Sequence, residues 1–241
     1  MKIQGDFFSC RFIGCVLSLL LILPGTARSN VYVIVYTSGP EKNGHAALAV
    51  DKYEIQVRED CNGQEYSDTV RKGELLYYEL MPSPSVNMRK HFGRDIEGVY
   101  HRLPAASNEK KLDLDHLLNT GTPYKKLIAP DGLIEIPTSA GQDEALIRYL
   151  DSLGESAHPF NSRYFNCTDF ICQAIGFVSK QSFRAKEFVP FSFSSTPNKL
   201  FRKLSAQKKI KVNVLKDAGK AAHSSFLSSR VWPQFKKSIH L

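Results

Sequence analysis

The sequence predicts an α+β fold, an antiparallel β-sheet against which a cysteine-bearing helix packs. Three observations predict it. Short apolar or alternating runs crowd the first half of the chain, from Val31 to Leu103. Helix-start signals crowd the second half: Ser139-x-x-Gln142, Asn166 and Thr196-Pro197. Turn residues separate the early runs, which places them as neighbours in one sheet.

The elements follow in order. Val31 to Tyr36 is continuous, apolar and β-branched, as a buried strand requires. Ser38 to Gly44 is a turn. His45 to Val50 and Tyr53 to Val57 read as two short strands joined by a hairpin at Asp51-Lys52. Leu75 to Leu80 and Gly98 to Leu103 are further strands, with a short helix expected between them over Ser85 to Phe92. Lys111 to Leu118 carries leucines at helical spacing and stops near Gly121. Pro123 to Pro137 is loop with a short strand at Leu133 to Ile136. Ser139 and Gln142 form a capping box, and Leu146, Tyr149, Leu150 and Leu153 mark one face of the helix that Gly154 ends. Asn166 caps a helix whose buried face is Phe170, Ile171, Ala174, Ile175 and Val178. Thr196-Pro197 opens another, with Leu200, Phe201 and Leu204 as its stripe. Ile210 to Leu215 alternates as a late strand.

The 241 residues carry 32 Lys and Arg against 24 Asp and Glu, a net charge of +8, with 42% hydrophobic residues. Such a chain buries a real core, and global disorder and low-complexity classes are excluded. One segment is apolar enough to meet a bilayer. Phe12 to Leu23 follows Lys2 and Arg11, ends at Pro24-Gly25, and is followed by Ala27-Arg28-Ser29. About twelve apolar residues are short for a spanning helix and suit a cleaved signal peptide. The expected organisation is a signal peptide over 1–29, one domain over 30–205 and a basic extension over 206–241. The expected location is secreted or periplasmic, with membrane anchoring by the uncleaved segment as the alternative.

Charge is uneven. From Lys199 to Leu241 there are eleven Lys or Arg and one acid, Asp217, whereas Asn30 to Asn198 is mildly acidic. A basic extension on such a body fits an anionic surface, lipid headgroups or wall polymer. Nucleic acid is not expected as a partner. Five cysteines fall to Cys61, Cys167 and Cys172 once the first 29 residues are removed, so at least one thiol stays free. No CxxC or His-x-His spacing points to a metal, and no cofactor is expected.

The chemistry centres on Cys167. Behind the Asn166 cap it occupies the first helical turn, where the dipole and the terminal N–H groups favour thiolate and could hold an oxyanion. Cys172 reads as a core thiol on the same helix. A nucleophilic cysteine needs a base, and His45 is the best placed of seven histidines. It opens a strand directly after Gly44, and alternation sets it beside Ala47 and Ala49, small enough for a helix end to approach. A polar group from the following strand would hold the ring, completing a nucleophile, base and orienting residue.

Gly44 to Val50, a neighbouring strand, and Asn166-Cys167-Thr168-Asp169-Phe170 together resemble the circularly permuted NlpC/P60 papain-like superfamily, in which the histidine strand precedes the cysteine helix. The resemblance implies a papain-like fold and a Cys–His pair with a third polar residue on the strand after the histidine strand. It maps to Cys167, His45 and, by count and facing, Gln56, with Glu54 as the alternative. It also implies a thiol protease or amidase: thiolate attack on a carbonyl, a thioacyl intermediate, and hydrolysis. The expected substrate is an amide of a cell-wall peptide. Two alternatives stand beside it. One is a lipid-directed acyltransferase or phospholipase of the same superfamily, favoured by the apolar stretch Val189 to Phe193 and the basic extension. The other is a non-enzymatic envelope-binding module.

Overall fold

A computed structural model describes residues 28–39, 44–87, 90–103, 112–120, 129–154, 159–190, 192–208, 210–214 and 224–231. The expected signal segment up to Ala27, most of the extension beyond Val214, and His158, His223 and His240 lie outside these residues. The strands are β1 (Arg28–Tyr36), β2 (His45–Glu59), β3 (Glu65–Pro82), β4 (Ile96–Leu103), β5 (Gly132–Ser139), β6 (Pro159–Phe160), β7 (Lys186–Val189), β8 (Ser192–Ser195) and β9 (Lys211–Val214). The α-helices are α1 (Leu114–Thr120), α2 (Ala140–Gly154), α3 (Cys167–Ser179) and α4 (Pro197–Ser205).

The fold is α+β. One seven-stranded sheet has the order β6-β4-β3-β2-β1-β5-β9, each adjacent pair antiparallel. β7 and β8 form a separate hairpin. Alternation sorts the central strands onto two faces. Val31, Val33, Val35, Ala46, Leu48, Val50, Tyr78 and Leu80 face a cluster completed by Leu146 and Leu150 of α2, Phe170, Ile171 and Ile175 of α3, and Leu200 and Phe201 of α4. Tyr32, Ile34, Tyr36, Ala47, Ala49 and Tyr77 face the other way, towards Leu112 and Leu117 at α1. β1 is buried along its length from Val31 because it is covered on both faces, which is why it reads as an unbroken apolar run.

The helix signals are realised as chemistry. Ser139 and Gln142 exchange bonds at the start of α2, with the Ser139 N–H donating to Gln142 Oε1 at 3.0 Å and the Gln142 N–H donating to Ser139 Oγ at 3.3 Å. Thr196 caps α4 by accepting from the Lys199 N–H at 3.1 Å.

Several expectations are corrected. The hairpin at Asp51-Lys52 does not exist. β2 runs straight through it for 15 residues, and only a register shift marks the place, between Asp51 and Tyr53. Asp51 is fully buried inside the sheet, where it accepts from Arg71 at 2.7 Å and from the Asn30 N–H at 3.2 Å, while Arg71 also donates to the Tyr32 hydroxyl at 2.8 Å. A charged pair that looks like a turn is thus strand, with the Asp51 carboxylate buried and Arg71 reaching it from the exposed side. The real turn comes later, where Asp60 Oδ1 accepts from the N–H groups of Asn62 and Gln64 and Gly63 takes φ +77°. The short helix over Ser85 to Phe92 is replaced, among the described residues, by successive turns closed from Ser83 to Val86 and from Asn87 to Lys90. The β7–β8 hairpin has no counterpart in the expected strands. Finally, the late strand is present as β9 and pairs with β5 inside the main sheet, so the sheet takes in Lys211–Val214 from the stretch read as a basic extension. At the other end β1 begins at Arg28, with Arg28 opposite Ser139, two residues before the expected start of the mature chain.

Candidate active site

Asn166 builds the first half of the site. Its backbone is extended (φ −118°, ψ −176°), and its side-chain oxygen accepts from the N–H groups of Thr168 at 2.8 Å and Asp169 at 3.3 Å. Asp169 reciprocates by accepting from the Asn166 N–H at 3.2 Å, a complete capping box. The Asn166 amide nitrogen is used as well: it donates to the Ser195 carbonyl at 3.0 Å and to Ser194 Oγ at 3.2 Å, tying the helix start to β8. Cys167 is therefore the first residue of α3, at its positive end, and is half-buried. The cap consumes most of the first-turn donors. Thr168 and Asp169 serve the Asn166 side chain and Phe170 serves its carbonyl, which leaves the N–H of Cys167 itself for an oxyanion.

The base comes from the sheet. Gly44 holds φ +76°, and a Cβ there would fall 2.5 Å from Ser38 Oγ, so only glycine lets the chain turn tightly into β2. The next residue is His45, 3% exposed, with its ring stacked at 6.4 Å on that of Tyr36, its partner across the β1–β2 register. His45 Nε2 lies 2.7 Å from Glu79 Oε2, and Glu79 is fully buried on β3. With Nε2 committed to the carboxylate, Nδ1 is the nitrogen left for the Cys167 sulfur, with which the ring is in hydrogen-bond contact.

The electrostatics follow from these contacts. Burial opposes charge on both Cys167 and His45, and their mutual interaction outweighs it. The imidazolium charge and hydrogen bond of His45, with the Ala46 N–H, hold the Cys167 thiol below its ordinary value. The thiolate charge and hydrogen bond, with the Glu79 carboxylate, raise His45 to about 9. The favoured state is a thiolate–imidazolium pair. Cys172 is the contrast. Burial, helped by the nearby Asp169 carboxylate, pushes it up to about 12, so it is a core thiol. Cys61 is exposed at the turn between β2 and β3.

The structure brings together Cys167 and His45 and does not bring Gln56 to them. Gln56 lies eleven residues further along the same uninterrupted strand, roughly 35 Å away at about 3.3 Å per residue. Its side-chain oxygen accepts from Arg58 at 3.5 Å, and the alternative, Glu54, is paired with Lys72 at 2.6 Å. The orienting position belongs to Glu79. The strand after the histidine strand is β3, not Tyr53 to Val57, and the error followed from the false hairpin. A signal was present: in Leu75 to Leu80 the face Leu75, Tyr77, Glu79 puts a carboxylate in an apolar row, and a buried acid needs partners. Two further residues stand beside it. The Tyr77 hydroxyl donates to the same Glu79 Oε2 at 2.6 Å, and His101 is directly opposite Glu79 in the β3–β4 register.

Glu79→Gln is expected to leave the fold intact while weakening the pair. An amide can still accept from His45 but supplies no charge, so the His45 pKa falls and the Cys167 pKa rises. The loss of one charge-assisted bond corresponds to about one pK unit. The acid limb of Cys167 alkylation should move up by about that amount, as followed by iodoacetamide labelling against pH. No movement would remove Glu79 from the site.

No protein-family model, curated protein or solved structure matches the chain.

Proposed function

We propose that the chain is a cysteine hydrolase that cleaves an amide bond through a thioacyl intermediate, with Cys167 as nucleophile, His45 as base and acid, and Glu79 orienting His45. The observation that carries this reading is the half-buried thiol at the first residue of α3 in contact with a buried imidazole whose other nitrogen is 2.7 Å from a buried carboxylate. The chain order supports placing it among circularly permuted papain-like proteins of the NlpC/P60 type, since the histidine strand precedes the cysteine helix and packs beneath it.

In this reading the Cys167 thiolate attacks the substrate carbonyl carbon, and the oxygen takes the negative charge beside the N–H of Cys167. His45 gives its proton to the departing amine as the carbon–nitrogen bond breaks, which leaves a thioester on Cys167. Neutral His45 then takes a proton from water, hydroxide adds to the thioester, and collapse returns the carboxylic acid and the thiolate–imidazolium pair. The substrate class proposed is a cell-wall peptide, and the location proposed is outside the cytoplasm. The apolar run Phe12 to Leu23 and the small residues that follow it support export.

The test is an acid-quenched incubation with short wall-type peptides, followed by mass spectrometry of the protein. The expected product is a hydroxylamine-sensitive acyl adduct on Cys167, with release of the amine half. A Cys167 that alkylates rapidly at pH 6 yet takes no acyl group from any peptide amide would overturn the amide reading. A Cys167 that labels no faster than Cys61 would leave a binding module.

A further inference from the structure

Four aromatic side chains crowd the end of the molecule that carries Cys167, and all are turned to solvent. Phe188 and Phe193 face each other across β7–β8, their rings at 5.6 Å, and are 50% and 63% exposed. Tyr164 is 61% exposed and precedes Cys167 by three residues, and Phe92 is 57% exposed. Arg163 links them. Its guanidinium bonds Ser192 beside Phe193, and its charge sits 5.5 Å from the Tyr164 ring. On its other flank the Gly93 N–H donates to Ser162 Oγ at 3.1 Å, which brings Phe92 alongside.

Nothing in the core calls for this exposure. The hairpin alternates, with Glu187 and Val189 inward and Lys186 and Phe188 outward. The outward rings are held rigidly, because β8 is bonded to the Asn166 cap through Ser194 and Ser195 and to the Ser162 carbonyl through Ser194. The surrounding charge is mainly positive: Lys90, Arg94 and Lys186 are exposed around the rings with Arg163 among them, against Asp95 and Asp169. Asp95 accepts from Asn161 at 2.6 Å, and Asp169 is engaged by Ser195 and Asn166 and also feels the Lys186 charge, so both acids offset part of the positive charge and leave the excess to the cations.

Rigid aromatic tips interspersed with cations match an interface between water, phosphate and hydrocarbon. We propose that this end is a docking face for a bilayer surface carrying anionic headgroups, with Phe188, Phe193 and Tyr164 entering the interface and Arg163 and Lys186 meeting phosphate. The cations favour an anionic partner over a neutral one, and the clustered exposed rings favour a lipid surface over a soluble acidic one. The proposal does not rest on the hydrolase reading, since a docked Cys167→Ser protein would bind equally well.

The experiment places a reporter in the face itself, so that the N-terminal apolar run, common to all variants, does not decide the result. In the full chain, Trp232→Phe removes the single tryptophan and Phe193→Trp installs one on the hairpin. With phosphatidylglycerol vesicles the emission should shift to the blue and be quenched by brominated acyl chains. With phosphatidylcholine vesicles it should not. Tyr66→Trp, on the distant β2–β3 ribbon, should stay unchanged in both. Adding Lys186→Glu should raise the lipid concentration for the half-maximal shift roughly 25-fold, two charge units at about fivefold each. Unshifted emission from the Phe193→Trp protein overturns the proposal, as does an equal response to both lipids or one shared with Tyr66→Trp. A shift that grows with protein concentration and needs no lipid also overturns it, and assigns the face to a second copy of this chain.

Discussion

Replacing Cys167 with alanine is expected to lower kcat/KM on a cleaved peptide by about four orders of magnitude, leaving only what binding supplies. His45→Ala should cost nearly as much, and the double variant little more, because nucleophile and base act as one unit. The sharper readout is alkylation. In the wild type the His45 charge and hydrogen bond hold the Cys167 thiol below its ordinary value. Without His45 the thiol loses the charge that offset its burial and returns to at least the ordinary value of about 8.5, so no more than about one part in 300 is thiolate at pH 6. Iodoacetamide rates at pH 6 should fall below those of the wild type. The pH–rate profile of the intact protein should be a bell. Its alkaline limb should lie near 9, where His45 loses the proton needed by the leaving amine. Its acid limb marks protonation of Cys167 and lies below the ordinary thiol range. A His45→Ala protein that alkylates at the wild-type rate would show that Cys167 owes nothing to the imidazole.

Asn166→Ala is expected to be the most damaging single change outside that pair. It removes the acceptor for the Thr168 and Asp169 N–H groups and the donor to Ser194 Oγ and the Ser195 carbonyl, all at a buried position. Loss of a good cap costs about 1 kcal/mol and each orphaned buried group about 1–3 kcal/mol. The expected destabilisation is about 3 kcal/mol, read from urea unfolding. Asn166→Asp separates the two functions. It keeps the cap acceptors and loses the donor, so it should recover roughly half of the stability. It also places a negative charge next to Cys167, so alkylation at pH 6 should slow even where folding is restored. Alanine and aspartate variants as stable as the wild type would mean that the helix start does not depend on its cap.

The contrast between what was legible and what was not follows the range of each interaction. Asn166, Thr196 and the Ser139–Gln142 pair could be read because a cap is settled within about four residues. Val31 to Tyr36 and the α3 stripe could be read because burial imposes a period. His45 was legible as a strand-opening residue after glycine. Asp51 was not, because its partner Arg71 is twenty residues on and the sequence around it looks like a turn. That one misreading broke β2 in two and displaced the orienting residue to Gln56. Glu79 could be found only by knowing that β3 returns past His45, a matter of register. The β7–β8 hairpin escaped because its strands are four residues each and its large side chains point outward, so no burial pattern announces them.

The ribbon between Tyr53 and Arg71 gives β2 and β3 a second character. Here, among the described residues, the two strands pair only with each other, since β1 leaves off opposite Val50 and β4 reaches only to Tyr77. A two-stranded ribbon in water is marginal by itself, so its amides should open and exchange in small local events, independent of the unfolding of the sheet. What keeps such openings from travelling down the same strands to His45 and Glu79 is the pairing of buried Asp51 with the exposed Arg71 at the register shift. That pair divides one continuous ladder into two cooperative units. A nick or an inserted peptide at Asn62-Gly63 would then be absorbed by the outer unit, and the geometry around Cys167 would be kept by the inner one.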